Sequence, residues 1–581
     1  MKNLQNQKIL DFCHAHIEKI GFAILSLAWA PLPFYNFDSH HDGLILSTVS
    51  LTKTSIINGS DYPFNQYGPI WAIPFLILSF VLDSEVLFIG MRIITVGFYF
   101  LSAFLLWKTS RIFVGHKLSI LTLFLFFASQ PFTSDFGSDL VPWPSAIVMP
   151  LAIATVFLML KLFDEEVSPQ KKWIFAFGMG LLIPAIIGSR LQVGGLLLGV
   201  AIYAIELSKL SRLKRLYFLL GLLTSSGLFV LALLRLGWLR SALFDQIIYG
   251  STYLTADKST FPKPVITFIG IIVFALIFIL APLVFKLKAN FKNKRIILSI
   301  LLASISSIII GVYLWQDRSV EPIEVLVILT RRLWITFSLG ALVYAALKIS
   351  IFQRKKLGSE PISPVSNQFK LLALSAICLE SQVYPLFDQM HFWWGSPLTF
   401  LIVVIVTVDR FKFHLIQAKT LELIKVPIII SILITVFVPW FAQVGAPKIE
   451  LPRSVSAKIY ASDDVAAYHH DLQQFFDMNI SRGERVLNLC EDTDIYFEQS
   501  KYVSASRFFV YWGEPMSHSQ EIYNSFLNSN PDAIVTCDLT HRPTIRLKEE
   551  SLQAAILSKM EVNPNSAKVF LGGKRWTIYR F

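Results

Sequence analysis

Long apolar runs separated by short polar connections occupy residues 1–442 of the chain. A helix needs about 20 apolar residues to cross a bilayer, so we predict about thirteen membrane-spanning helices in this part. They lie near residues 18–37, 86–107, 117–130, 143–162, 173–188, 192–207, 216–235, 264–285, 296–314, 324–348, 369–384, 396–408 and 426–442. This pattern is typical of an α-helical polytopic membrane protein.

A different pattern follows the first predicted span. Gly43 to Asn58 and Pro69 to Leu82 are helical in pattern, yet the polar turn NGSDYPFNQYGP separates them. Such pieces are typical of helices that lie along the membrane interface instead of crossing it. We therefore predict that residues 38–85 form a first outer loop with two interfacial helices.

The pattern changes again after residue 442. Long apolar runs stop, and short strand-like segments appear beside an amphipathic helical segment, Asp463 to Met478. The predicted strands are Arg485 to Leu489, Arg507 to Tyr511, Ala533 to Thr536 and Lys574 to Arg580. We predict two domains: a membrane domain over residues 1–442 and an extracytoplasmic α/β domain over residues 443–581.

Composition and charge give this picture an orientation. The 581-residue chain is 54% hydrophobic, which a soluble protein of this length does not need. Its net charge of +12 would suggest a nucleic-acid partner in a soluble protein. Here Lys and Arg gather in alternate connections, near residues 108–117, 171–172, 209–215, 286–295, 354–356 and 410–412. The positive-inside rule makes these connections cytoplasmic, so residues 38–85 and the C-terminal domain lie outside the cell membrane.

Cysteines and nucleotide-binding motifs give little information about the function. Cys490 and Cys537 each lie near the end of a predicted strand, and the outer side of the membrane permits a disulfide between them. Two buried free thiols are the favoured interpretation. The chain has no Gly-rich phosphate loop, which argues against an ATP-driven engine on the cytoplasmic side.

The densest cluster of chemically active side chains follows the first predicted span. The sequence DSHHDG, Asp38 to Gly43, combines two carboxylates with two imidazoles. Ionisable groups gathered where a chain leaves the membrane usually serve a function. The alternative is that they cap an interfacial helix beginning near Gly43, since Asp is a good helix N-cap.

These residues resemble the amino-terminal part of the GT-C superfamily of polytopic membrane glycosyltransferases. The likeness rests on the outer Asp in DSHHDG and on the YPFNQYGP turn, Tyr62 to Pro69. The segments SDFGSDLVPWPS (Ser134 to Ser145) and YPLFDQMHFWWGSP (Tyr384 to Pro397) fit it more loosely. The resemblance implies a polyprenyl-phosphate sugar donor and an extracytoplasmic glycan or glycolipid acceptor.

Transfer from a lipid phosphate needs one general base, because the phosphate leaves as a stable anion. The resemblance implies that Asp42 is this base in an inverting reaction. Asp38 or His41 would orient it or assist with the phosphate. His40, Gln66 and Tyr67 are further candidates for substrate binding.

Other acidic and basic residues on the outer side are candidates for holding the acceptor and the donor phosphate. Asp135 or Asp139 would bind the acceptor, or a divalent cation such as Mg²⁺ or Mn²⁺ together with Asp42; an ordinary solvated turn is the alternative. Arg190, Arg331 and Arg332 are candidate phosphate ligands. For Arg331 and Arg332 the alternatives are pairing with Glu321 and Glu324 or an interfacial helix.

Two further clusters contain histidine. Asp388, His391 and Trp394 lie in an aromatic outer segment, either as a sugar or prenyl platform or as an interfacial aromatic belt. His469, His470 and Asp471 are predicted to lie on a solvated helix face and not to form a metal site.

A protein with many membrane spans could also have one of two functions that are not enzymatic. A transporter or flippase of a lipid-linked saccharide would have inverted repeats with broken helices, and no convincing internal repeat is present. A non-enzymatic scaffold would leave the acidic cluster without a role. The sequence therefore favours a glycosyltransferase.

Overall fold

The computed structural model describes residues 27–249, 364–410 and 449–580, with gaps at 28, 36, 38, 61, 64, 66, 129–139, 209, 384–388, 452–457, 490–502, 506–523, 525–526, 538–556, 559–565 and 572–573. The spans predicted near 264–285, 296–314, 324–348 and 426–442 lie outside these residues. Most of the span predicted near 18–37 also lies outside; its end forms a short 3₁₀ helix, Leu32–Phe34.

The described part is mostly helical before residue 411 and ends in a sheet-containing C-terminal region, residues 449–580. Its helices are α1 (Ser39–Asn58), α2 (Ile73–Ser79), α3 (Ser84–Ala128), α4 (Pro144–Lys161), α5 (Lys172–Ile187), α6 (Leu191–Leu207), α7 (Arg212–Arg235), α8 (Leu239–Phe244), α9 (Pro364–Glu380), α10 (Gln389–Gly395), α11 (Pro397–Arg410) and α12 (Asp463–Asn479). Helices α3 to α7, α9 and α11 coincide with predicted spans.

Length and composition divide these apolar helices into two groups. Within the described residues, three segments are long and apolar enough to cross a membrane: Glu85–Gly115, Pro144–Lys161 and Arg215–Arg235. Shorter apolar helices cover Ile70–Ser79, Lys172–Ile187, Leu191–Leu207 and Pro397–Val406. The predicted number of about thirteen spans stays a prediction.

The connection predicted between the spans 86–107 and 117–130 is helical up to Gly115, where the chain kinks before the second helical segment of α3. Helix α3 continues through Lys108 and Arg111 and breaks its helical geometry at Gly115, where φ is 71°. Lys108 lies over the rings of Phe104 and Trp107, and Arg111 lies over Trp107. These cation–π contacts let the basic side chains lie along an apolar helix, which explains why the helix extends beyond the predicted end at residue 107.

Helices α5 and α7 pack closely because each presents a glycine to the other. A Cβ atom added to Gly180 would collide with the backbone of α7 at Phe218 and Leu222. One added to Gly221 would collide with the backbone of α5 at Phe177. Small residues at such crossings allow backbones to approach within van der Waals contact.

Residues 38–85, which are predicted to form the first outer loop, contain the two predicted helices with different bounds. Helix α1 begins at Ser39 instead of near Gly43, so His40, His41 and Asp42 belong to its first turn. An acidic residue in the first turn is stabilised by the positive end of the helix dipole. The helix thus begins four residues earlier than the capping alternative assumed, and Asp42 lies inside its first turn.

A 3₁₀ helix, Ile70–Ala72, leads into α2. Lys53 in α1 donates from Nζ to the carbonyl oxygen of Ser79 over 2.5 Å. Because Ser79 ends α2, this bond ties the two predicted interfacial helices together.

The C-terminal region contains a five-stranded sheet, as the α/β prediction requires. The strands described in the C-terminal region are β1 (Ile449–Glu450), β2 (Tyr460–Ala461), β3 (Arg485–Asn488), β4 (Val503–Ser504), β5 (Ala533–Cys537), β6 (Ala567–Leu571) and β7 (Lys574–Arg580). Strands β1 and β2 form a separate antiparallel pair, and the larger sheet has the order β4-β3-β5-β7-β6. Strand β3 is parallel to β4 and β5, whereas β7 is antiparallel to β5 and β6. The strand predicted over 507–511 lies outside the described residues.

Two predictions about the C-terminal region are wrong. His469 is only 2% exposed because its ring packs against Phe37, although its neighbour His470 does face solvent as predicted. Cys537 is disulfide-bonded and not a free thiol. Cys490 lies outside the described residues, and Cys378 is a buried free thiol.

Candidate functional site

The carboxylate of Asp42 and the guanidinium of Arg92 form a buried ion pair. Nη2 of Arg92 donates to Oδ2 of Asp42 over 2.7 Å, and neither side chain is exposed. Removing a charge from water without a partner costs several kcal/mol. Pairing with Arg92 compensates the charge of a carboxylate in this position.

Arg92 also binds the chain that leads to Asp42. Its Nη1 donates to the carbonyl oxygen of Tyr35 over 2.9 Å and to that of Pro33 over 3.4 Å. The guanidinium lies 4.6 Å from the ring centroid of Phe88, one turn earlier on α3. Arg92 therefore joins helix α3, the segment before α1, and Asp42 in the first turn of α1.

The YPFNQYGP turn is held by a glutamine that is distant in sequence. Gln246 lies in a π-helical turn, Asp245–Tyr249, and donates from Nε2 to the carbonyl oxygens of Tyr67 (3.1 Å) and Ile187 (2.6 Å). Single π-helical turns occur frequently at functional sites. The bonds fasten the turn to the end of α5.

Asn65 fixes the same turn from inside. Its Oδ1 accepts hydrogen bonds from Nε1 of Trp71 and from the backbone N–H of Tyr67, both over 3.1 Å. Its own N–H donates to Oδ2 of the buried Asp245 over 3.4 Å. The backbone of this turn thereby obtains partners within the protein.

Only glycine fits the position after Tyr67. Gly68 has a φ of +90°, and an added Cβ would lie 2.5 Å from the carbonyl oxygen of Gly188 and 2.7 Å from Nε2 of Gln246. Both the left-handed backbone and the close approach require a residue without a side chain. The turn can therefore reach α5 closely enough to place Tyr67.

Tyr67 belongs to a largely buried cluster of aromatic rings with one arginine. The Arg190 guanidinium lies 5.1 Å from the Tyr67 ring centroid, and the Tyr67 and Trp143 centroids are 5.3 Å apart. Trp143 is stacked with Trp394 at 6.5 Å, and His391 lies 5.3 Å from Trp394. We call these five residues the aromatic–arginine cluster. Arg190 is 4% exposed.

Helix α3 carries both Arg92 and Tyr99, and Tyr99 is a hydrogen-bond partner of the aromatic–arginine cluster. Nε1 of Trp394 donates to the hydroxyl of Tyr99 over 3.0 Å. Residues seven apart in a helix lie on one face about 10 Å apart along the axis. Arg92 and Tyr99 therefore place the ion pair and the cluster along one side of α3.

The late aromatic segment does not form an interfacial belt at its two tryptophans. Trp393 and Trp394 are 1% and 2% exposed. Nε1 of Trp393 donates to the carbonyl oxygen of Phe126 over 2.9 Å. Both rings pack inside the protein because their N–H groups find partners there, so the belt alternative is wrong for these two residues.

The structure brings together four candidates from distant parts of the sequence: Tyr67, Arg190, His391 and Trp394. Asp42 lies in the ion pair with Arg92. The remaining candidates lie outside the described residues: Asp38, Gln66, Asp135, Asp139, Arg331, Arg332 and Asp388. His40 and His41 are placed by their backbone in the first turn of α1.

Sequence analysis missed Arg92, Trp143 and Asp245. Arg92 had a signal, because it is an arginine inside the apolar run 86–107 and such charges usually pair or serve a function. Trp143 lies in the SDFGSDLVPWPS segment that carries part of the resemblance but was not singled out there. Asp245 had no signal, since an isolated Asp near a span end is common. Within the part of the chain that the structure describes, no group of three or more His, Cys, Asp or Glu residues could hold a metal ion.

Solved structures with a similar chain fold include the following three. ArnT from Cupriavidus metallidurans bound to undecaprenyl phosphate matches with a TM-score of 0.45 and 12% identity, over 97% of this chain and 98% of that chain. The Archaeoglobus fulgidus oligosaccharyltransferase tethered to an acceptor peptide matches with 0.47 and 10%, over 90% and 70%. AglB from the same organism, in complex with an inhibitory peptide and a dolichol-phosphate, matches with 0.47 and 10%, over 90% and 69%. No family model and no curated protein matches the chain.

Proposed function

We propose that this protein is a polytopic membrane glycosyltransferase that moves a sugar from a polyprenyl phosphate to an extracytoplasmic glycan or glycolipid. In this proposal Asp42 is the general base of an inverting transfer. It removes the proton from the acceptor hydroxyl as the oxygen attacks the anomeric carbon, and the lipid phosphate departs with the bonding electrons. The observation that carries the proposal is the buried Asp42–Arg92 pair at the start of α1.

A general base must be charged and held in one orientation. Arg92 supports both requirements, because it compensates the buried charge of Asp42 and is itself held by the carbonyl oxygens of Tyr35 and Pro33. The leaving phosphate needs no acid. One carboxylate is therefore enough, unlike the pair of carboxylates that most glycosidases use.

The aromatic–arginine cluster is the proposed binding site for the sugar phosphate. A buried guanidinium such as that of Arg190 is suited to bind phosphate oxygens in a fork geometry. The rings of Tyr67, Trp143 and Trp394 offer apolar faces for the sugar or the first prenyl unit. His391, which is half-buried beside Trp394, would hydrogen-bond a hydroxyl group.

The other sequence candidates keep their proposed roles. Asp38 and His41 would assist Asp42, and a divalent cation would supply charge to the donor phosphate. Further substrate contacts are proposed for His40, Gln66, Asp135, Asp139, Arg331, Arg332 and Asp388.

Replacement of the base tests the proposal. Asp42→Asn keeps an acceptor oxygen for Arg92 but removes the base, so turnover should fall by about 10² to 10⁴ while donor binding survives. The assay supplies radiolabelled polyprenyl-phosphate sugars to purified protein in lipid, with a membrane extract as acceptor. Asp164→Asn, in a partly exposed connection, is the matched control and should leave turnover unchanged. Full transfer by Asp42→Asn would reject the base, and movement of an unmodified lipid-linked sugar across the bilayer would favour a flippase.

The orientation is proposed to be extracytoplasmic for the site and for the C-terminal region. The disulfide at Cys537 supports this, because disulfides persist in oxidising compartments. Single cysteines at the exposed positions Ser60 and Asp471 should react with an impermeant thiol reagent in spheroplasts, whereas one at the exposed Ser168 should not. Labelling at Ser168 alone would place the site in the cytoplasm.

A further inference from the structure

The segment that holds Arg92 is also the place where the C-terminal region meets the helical part. Tyr35 and Tyr460 form a parallel β-bridge, and their ring centroids are 6.0 Å apart. Tyr460 belongs to β2, and its partner strand β1 is only two residues long. The C-terminal region is therefore paired with the chain at the residue whose carbonyl oxygen accepts a hydrogen bond from Arg92.

A second contact lies two residues further along. The Phe37 ring meets the His469 ring of α12 edge to face, with centroids 4.9 Å apart. Phe37 also meets the ring of Phe88 edge to face, with centroids 5.7 Å apart. The Arg92 guanidinium lies over this same Phe88 ring. Phe37 is 5% exposed and His469 is 2% exposed, so water is excluded from this contact.

The two contacts enclose the same short piece of chain. Tyr35 provides the carbonyl oxygen that orients Arg92, and Phe37 packs on the ring beneath the guanidinium. Arg92 in turn bonds to Asp42. A shift of residues 35–37 would move the guanidinium, and the carboxylate paired with it would have to follow.

The geometry points to a positioning role for the C-terminal region: through Tyr460 and His469 it holds residues 35–37, and thereby sets the placement of Arg92 and Asp42. This inference rests on the proposed function of Asp42. Tyr460 and His469 are positioning residues, since they act through the chain and do not touch the reacting groups. Displacement of a reacting group by about 1 Å can cost 10²-fold in rate.

Neighbouring histidines provide a matched test. His469→Ala should lower kcat by about 10- to 100-fold with a largely unchanged KM for the donor, after correction for the folded fraction. His470→Ala removes an exposed imidazole from the same helix and should leave kcat unchanged. His469→Phe keeps a ring against Phe37 and should restore most of the rate.

A cross-link separates positioning from simple stabilisation. Paired backbones at Tyr35 and Tyr460 bring Cα atoms into the range of about 4.4–6.8 Å that a disulfide accepts. Tyr35→Cys combined with Tyr460→Cys should cross-link under oxidation, and the cross-link should restore kcat in a protein that also carries His469→Ala. Reduction should reverse the rescue, and protein without the added cysteines is treated identically because reduction also reaches the disulfide at Cys537.

Each result decides the inference. Wild-type kcat in His469→Ala, equal losses in the two histidine variants, or an inactive cross-linked protein would overturn it. If the unmodified protein transfers no sugar, the proposed function fails. The yield of the cross-link between positions 35 and 460 then tests separately whether the C-terminal region contacts residues 35–37. A low yield that Phe37→Ala does not change would show that the C-terminal region does not hold residues 35–37.

Discussion

Two arginine–carboxylate pairs in this protein differ in burial and in geometry. Arg92 and Asp42 are not exposed, whereas the side chains of Arg580 and Glu484 are 38% and 20% exposed. The exposed pair is bidentate, with bonds of 2.8 and 2.9 Å from the two terminal nitrogens to the two carboxylate oxygens. In the buried pair one nitrogen bonds to Asp42 and the other to backbone carbonyl oxygens.

The difference shows what each pair does for the protein. A fork of two parallel bonds is the stronger way to join two side chains. Arg92 instead divides its donors between a carboxylate and the chain before α1, so it fixes the position of Asp42 relative to two other elements. Arg580 clamps Glu484 and also donates to the carbonyl oxygen of Asn479, which secures the end of α12 to β7.

The largest expected effect comes from removing the buried arginine. Arg92→Met leaves Asp42 as a buried charge without its guanidinium, and the free energy of unfolding should fall by about 3–5 kcal/mol. Arg580→Met at the exposed pair should cost about 0–1 kcal/mol. Thermal and denaturant unfolding in detergent measures both, and equal losses would contradict the comparison.

Removing both buried charges sharpens this result. Arg92→Met combined with Asp42→Leu should recover much of the lost stability, because both charges of the pair are removed together. Transfer activity should stay absent, since the proposed base is gone. Recovered stability with recovered activity would show that Asp42 has a structural role alone.

An intermediate effect is expected when the positive charge is kept and the planar guanidinium group is lost. Arg92→Lys retains one cation but cannot reach Asp42 and the Tyr35 carbonyl oxygen in the same planar geometry. A lost hydrogen bond that involves a charged group costs about 1.5–3 kcal/mol. Arg580→Lys is the matched change and should cost about 1 kcal/mol or less. If the exposed variant loses more stability than the buried one, burial does not set the order.

The smallest effect is a dependence on pH at the exposed pair. Burial raises the pKa of Glu484, but hydrogen bonds from Arg580 and Ser481 outweigh it, and the pKa is lowered overall. Because the folded pKa lies below the ordinary value of about 4.3, the stabilisation is present above that value and is lost as the pH falls through the folded pKa. Glu484→Gln should therefore be less stable than the unmodified protein at pH 7, by about 1 kcal/mol or less, and equally stable at the acid end. Unfolding curves across this range test it, and a difference independent of pH would contradict the ion pair.

Local pattern was enough to locate most elements of both regions. The prediction of a helix over Asp463 to Met478 is confirmed by α12, and those of strands at Ala533 and Lys574 are confirmed by β5 and β7. The helix prediction succeeds because a period of 3.6 residues depends only on which face of one element is buried. Strand β5 is buried along its whole length, and it was found as a short apolar run without such a period. The helices α4 to α7 were located instead by the length of their apolar runs.

The environment of each side chain depends on how the elements pack together and not on the local pattern. The pattern of α12 placed His469 and His470 together on a solvated face, yet a partner ring from Phe37 buries the first and leaves the second exposed. Trp393 and Trp394 look like a membrane belt in sequence and are core residues in the fold. Neither outcome can be read from one element, because burial depends on what packs against it.

The sequence by itself determined that this chain is helical and apolar, that it ends in an α/β region, and that an acidic residue follows the first apolar run. The tertiary structure alone decided that Asp42 meets Arg92, 50 residues later, and that Tyr67, Arg190 and Trp394 share one cluster. Hydrophobic periodicity acts within a few turns of chain, whereas a buried charge must find its counter-charge wherever the packing of helices brings one.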